Sequence, residues 1–171
     1  MDLGIYHTID FSDKSWRSTS VKLSNKEARE NRFKFLEHTA DAYIEAYGKS
    51  LEEAYENAAI AMFQVMTEIS KVKPENEESI EIEAKDLSSL LYSWLEELLV
   101  RHEIKNRLYS KFDIEKIKVK KESYNLKAKI YGEDFNFNKH PSKTEVKAVT
   151  FHMMEINQAE DSIQIRFVLD L

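Results

Sequence analysis

The chain has no cysteine, and that one absence removes disulfides, zinc–thiolate sites and cysteine nucleophiles together. It is compatible with a reducing compartment. Glycine is nearly as scarce: Gly4, Gly48 and Gly132 stand far apart. No dinucleotide-binding or phosphate-cradling loop can be written with them, no Ser sits in a GxSxG elbow, and no HExxH occurs. These gaps argue against a nucleotide hydrolase or a serine hydrolase. No apolar run approaches the ~18–20 residues of a membrane span, and the N-terminus lacks the basic-then-apolar layout of a signal peptide. The expectation is a soluble, cytoplasmic protein with no membrane partner. Positive charge is also in the minority, with 25 Lys and Arg against 31 Asp and Glu and a net charge of -6. Holding nucleic acid alone requires clustered Lys and Arg, so the chain is a poor candidate for holding nucleic acid by itself. An acidic chain can still serve an RNA enzyme as its protein partner.

What is present is enough for one domain with a real core: 171 residues, 42% of them hydrophobic. Residues 1–31 read as an N-terminal extension, polar and Ser-rich, then charged, with Phe11 and Trp16 as its apolar anchors. The domain proper runs over 32–171. Phe33 to Leu36 and Tyr43 to Tyr47 read as strands. Ser50, with Glu53 three positions on, opens a helix by the capping-box spacing. Leu51, Ala54, Tyr55, Ala58, Met62, Phe63 and Met66 follow on one face. Ser79 to Ala84 alternates as a strand. Asp86 is a candidate N-cap for a second helix whose stripe is Leu87, Leu90, Leu91, Trp94, Leu95, Leu98, Leu99 and His102. The C-terminal third reads as strands: Phe112 to Val119, irregular near Glu115, then Tyr124 to Tyr131, Val146 to Ile156 and Ile163 to Leu169, with Phe135 to Thr144 a loop or irregular strand. The predicted architecture is α+β, a two-layer sandwich with two helices on one face of a mainly antiparallel or mixed sheet.

Few residues invite chemistry. His38 and Asp41 lie three apart at a break between two strands, a pattern that most simply makes a turn. His152 shares a strand face with Ala148 and Thr150, while Lys147, Val149 and Phe151 share the other. Such a histidine is ordinarily a half-buried, satisfied polar group. Asp170 and Leu171 end the chain, placing a side-chain carboxylate beside an α-carboxylate. Two anions so close repel unless a cation offsets them. Lys116, Lys118 and Lys120 read as a solvated strand face, and Met153, Met154 and the tyrosines as core or rim filler.

Taken together, Glu37-His38-Thr39-Ala40-Asp41, Ser50-Leu51-Glu52-Glu53-Ala54, Leu90 to Leu99, Glu145 to His152 and a chain ending Asp170-Leu171 resemble the archease family. The resemblance runs from about Phe33 to Leu171. One departure is Met153, where the family often has an acidic residue. The resemblance implies a non-catalytic protein cofactor of the RtcB-type tRNA-splicing ligase, which joins RNA ends bearing a 2′,3′-cyclic or 3′-phosphate to 5′-hydroxyl ends. It implies promotion of ligase guanylylation and multiple turnover, and a divalent-metal site at Asp41, Asp170 and Leu171. The all-oxygen donor set suits calcium or magnesium over zinc, and the resemblance implies calcium first, with magnesium or manganese as alternatives. His38, Lys147 and His152 are the expected neighbours of that site or contacts to the partner. Two rival readings stay open. One is a metal-dependent phosphohydrolase or nuclease using His38, Asp41, His152 and Asp170; the other is a general chaperone or scaffold.

Overall fold

The computed structural model describes residues 32–36 and 41–171. The extension expected over residues 1–31 and the candidate His38 lie outside the described residues. The element order is β1 (Phe33–Leu36), β2 (Ala42–Gly48), α1 (Leu51–Met66), β3 (Asn76–Ala84), α2 (Leu87–Lys105), β4 (Arg107–Val119), β5 (Tyr124–Asp134), β6 (Ala148–Ala159) and β7 (Ser162–Asp170). This is the expected order, with four strands after the second helix. The α+β sandwich stands. The strands divide into two sheets, β1-β2-β7-β6 and β3-β5-β4, and every pairing in them is antiparallel.

Both helix starts form as their residues dictate. The Ser50 hydroxyl accepts the Glu53 N–H at 3.2 Å, and the Glu53 carboxylate turns back to the Lys49 N–H at 2.7 Å. Asp86 caps α2 by accepting the Ser89 N–H at 2.7 Å. Each cap satisfies a helix N–H that has no intrahelical partner. At the far end of α2, Asn106 adopts φ 50 and closes the helix in the left-handed region. The next strand therefore begins at Arg107, five residues before the Phe112 expected from alternation. Its predicted irregularity is real, a register shift between Ile114 and Lys116.

The helices contact both sheets, α1 chiefly β2 and β4, α2 chiefly β6 and β3. Tyr55, Phe63, Trp94, Tyr109 and Phe167 fill the interior. Buried polar tips are satisfied across the helix pair: the Tyr55 hydroxyl donates to the Leu87 carbonyl at 2.7 Å, and the Trp94 indole N–H to the Tyr55 carbonyl at 3.1 Å. Helix α1 also covers backbone donors of strand β4. Glu56 accepts the Ile114 N–H at 2.7 Å and Glu52 the Ile117 N–H at 3.0 Å, so these donors are not left for a stray strand to pair with. Gly48 is required where β2 meets α1, because a Cβ there would collide with the Ala54 backbone.

Candidate functional site

In the four-stranded sheet, β7 lies between β2 and β6. Its register with β2 pairs Ala42 with Leu169, Ile44 with Phe167 and Ala46 with Ile165. All but half-buried Ala42 are buried, so these residues define the inner face. That burial fixes the register, since a slip of one residue would turn the whole apolar set to solvent. Asp41 and Asp170 are the next residues outward on these two neighbouring strands. On the other side of β7, Asp170 pairs with Ala148 of β6. Two carboxylates far apart in sequence thus come to the same end of one sheet. Asp170 is exposed and Asp41 half-buried.

Lys147 joins them from the loop between β5 and β6. Its backbone N–H donates to the Asp170 carbonyl at 2.9 Å, and its Nζ to the Leu171 main-chain oxygen at 2.6 Å. The loop that delivers it is fastened at several points. The Thr67 hydroxyl donates to the Pro141 carbonyl at 2.8 Å, and the Lys143 N–H to the Met66 carbonyl at 3.0 Å. His140, buried, accepts the Asn136 N–H on Nδ1 at 3.0 Å. The proton of the neutral ring therefore sits on Nε2, which donates to Glu133 at 3.1 Å. Burial alone would raise the Glu133 pKa, but Lys139, the Lys73 N–H and His140 overcome it and hold the carboxyl down at about 2. Val146 is then buried directly before Lys147.

His152 is placed differently from the expectation. The pairing of β6 with β7 holds to Thr150, whose hydroxyl donates to the Val168 carbonyl at 3.3 Å. After it the register breaks, and pairing resumes at Glu155. His152 lies in the break and is exposed, not half-buried. Met153, expected as filler, is 42% exposed with φ 53. That left-handed conformation costs a non-glycine residue about 1–2 kcal/mol. Phe151 is 55% exposed and stacks on Tyr92 of α2, with centroids 4.3 Å apart and planes at 9°. No local sequence signal announces this break, because Phe-His-Met-Met is as good a strand as its neighbours.

The donor chemistry at the aspartate end suits a hard divalent ion: two carboxylates and a main-chain oxygen, all of them oxygen donors. Among the described residues no three of His, Cys, Asp or Glu converge to hold a metal. An ion at Asp41, Asp170 and Leu171 would therefore take most of its coordination from water. The Lys147 ammonium on the Leu171 oxygen further lowers the local negative charge, so the site would be weak and open.

A profile of the Archease protein family matches residues 33–171. The protein archease of Sulfolobus acidocaldarius is 47% identical over 140 residues, 82% of this chain and 99% of that one. That of Pyrococcus abyssi is 47% identical over 130 residues, 76% of this chain and 91% of its own. Among solved structures, the solution structure of Methanobacterium thermoautotrophicum protein 1598 is similar at a TM-score of 0.74 and 47% identity, covering 82% of this chain and 99% of that one. The crystal structure of a Thermotoga maritima archease, described as a possible chaperone, shares the fold at a TM-score of 0.52 and 19% identity, covering 81% of this chain and 96% of its own.

Proposed function

The chain belongs to the archease family, and from that premise we propose that it is a non-catalytic activator of an RtcB-type tRNA-splicing ligase. It acts in the cytoplasm, on the ligase rather than on RNA. Among the described residues no helix is long and apolar enough to cross a membrane. The observation that carries the reading is the β2–β7–β6 register, which sets Asp41, Asp170 and the Lys147–Leu171 contact at one end of one sheet. Asp41, Asp170 and the Leu171 oxygen hold a divalent cation there, calcium first, with magnesium or manganese as substitutes. The ion supplies positive charge to a phosphate or nucleotide at the ligase active site. Lys147 fixes the Leu171 oxygen so that the ligands keep their places when the ion leaves. The exposure of Asp170 suits a site that must face a partner. His152, exposed on the adjoining strand, is a contact to that partner.

The test is a turnover count. Ligase is mixed with a small fraction of this protein and RNA bearing a 2′,3′-cyclic phosphate, and joined ends per ligase are measured. Wild type is expected to carry the ligase through many cycles, and Asp41→Ala or Asp170→Ala is expected not to. Equal stimulation by both variants would dismiss the site assignment. Phosphodiester cleavage by this protein with no ligase present would establish the hydrolase reading instead.

A further inference from the structure

The aspartate end of the four-stranded sheet carries a feature that the metal site does not use. Between Thr150, paired with Val168, and Glu155, paired with Arg166, four residues of β6 stand opposite Phe167 alone. Phe151 to Met154 therefore bulges out as a knuckle at the sheet edge. Its two exposed apolar side chains are Phe151 and Met153, with exposed His152 between them. Folding by itself would favour other residues here. Glycine or asparagine relieves φ 53 at Met153, and a polar side chain suits the exposure of Phe151. Instead a strained position is held by a methionine, and Phe151 is braced flat against Tyr92. A rigid, solvent-facing aromatic beside a strained apolar residue is how binding anchors are built.

The surroundings state what it would bind. Glu155 and Asp170 are exposed on the same sheet. The nearby cations are already engaged: Lys147 on the Leu171 oxygen at 2.6 Å, and Arg166 between Glu45 at 2.5 Å and Glu155 at 3.5 Å. Among the described residues the rim of the knuckle carries Glu155 and Asp170, and its apolar tip is uncovered. The complementary surface is an apolar socket rimmed by Lys and Arg. An enzyme that grips RNA must line its cleft with such cations to meet phosphates. We propose that Phe151 and Met153, braced by Tyr92, are the docking anchor of this protein, seated in an apolar socket at the basic mouth of the partner's RNA-binding cleft. The inference rests on the activator reading and names the surface by which that activator docks.

The experiment separates docking from activation. Phe151→Ala, Met153→Gly and wild type are titrated into a fixed amount of ligase with RNA bearing a 2′,3′-cyclic phosphate. The half-maximal concentration and the maximal turnover are read separately, and ligase binding is followed by interferometry at two salt concentrations. Both variants are expected to raise the half-maximal concentration at least tenfold, with wild-type turnover at saturation. Met153→Gly is expected to unfold at no lower temperature than wild type. Asp170→Ala is expected to stimulate poorly even at saturating concentration. Wild-type stimulation with unchanged half-maximal concentrations in both variants overturns this inference alone. A ligase that wild-type protein neither binds nor stimulates overturns the activator reading, and this inference with it. Binding that does not weaken with salt overturns the basic rim.

Discussion

The outer faces of the two sheets handle charge in opposite ways. On the three-stranded sheet, acids of β3 face lysines across the surface: Glu77 with Lys129 at 2.8 Å, Glu81 with Lys127 at 3.0 Å and Glu83 with Lys120 at 2.8 Å. Each of these side chains is about half exposed. On the four-stranded sheet, Glu45 is 1% exposed and clamped by Lys34 at 2.5 Å and Arg166 at 2.5 Å, with Tyr47 also donating to it. Further along the same face lie Asp41 and Asp170. The ladder is a solvated surface that leaves little net charge for a partner to read. The other face concentrates its charge, sealing it in the middle and presenting it at one end.

The largest effect that tests this contrast is functional. Asp41→Ala and Asp170→Ala are expected to abolish multiple turnover of the ligase and leave thermal stability near wild type, whereas Glu81→Ala and Glu83→Ala leave turnover unchanged. A loss of turnover from the ladder variants would erase the distinction between the faces. Second comes stability. Glu45→Ala removes the acceptor shared by Lys34, Tyr47 and Arg166, but Lys34 is 54% and Arg166 35% exposed, so water recovers part of the loss and the cost is about 1–2 kcal/mol. For a chain of this size that is a fall of roughly 2–8 °C in Tm, measurable by calorimetry.

The third test is pH. Burial alone would raise the Glu45 pKa, but Lys34, Tyr47 and Arg166 overcome it and hold the carboxyl at about 2. Glu78 reaches about 2 in the same way, through Lys105, Tyr109 and Arg101. A carboxyl depressed on folding adds stability that is fully present above its ordinary value of 4.5 and is lost as pH falls toward about 2. Stability is therefore expected to drop steeply across that interval, and Glu45→Gln to flatten the drop. Denaturant titrations from about pH 5 downward read this directly. An identical slope in Glu45→Gln would mean that Glu45 is not sealed. The smallest effect belongs to the ladder: Glu81→Ala should cost less than about 1 kcal/mol, and even that should vanish near ~1 M salt, where the screening length falls to ~3 Å.

How far the sequence could be read depends on the range of each interaction. The helix starts at Ser50 and Asp86 were legible because a cap and its N–H lie three residues apart. The stripe from Leu87 to Leu99 was legible because helical faces repeat locally. The alternation from Ile163 to Leu169 was legible because strand faces repeat at every second residue. The start of β4 at Arg107 was missed because it follows from the left-handed turn at Asn106, not from any alternation. The burial of Glu45 was missed because Lys34 and Arg166 reach it from two other strands. The break after Thr150 was missed because a bulge is set by what the partner strand can pair, and β7 offers only Phe167 there.

By itself, then, the sequence determined the element types and order, the starts of both helices, and, through its likeness to a family, which aspartates are the candidates. Those are matters of spacing within one segment. Only the tertiary structure decided that β7 enters between β2 and β6. Strand neighbours are chosen by burial of apolar faces across more than a hundred residues of chain, with Ala42 against Leu169, and no local pattern records that choice. Its consequences are the arrival of Asp41 and Asp170 at one end of one sheet, the seat of Lys147 on Leu171, and the knuckle of Phe151 and Met153 on the neighbouring strand.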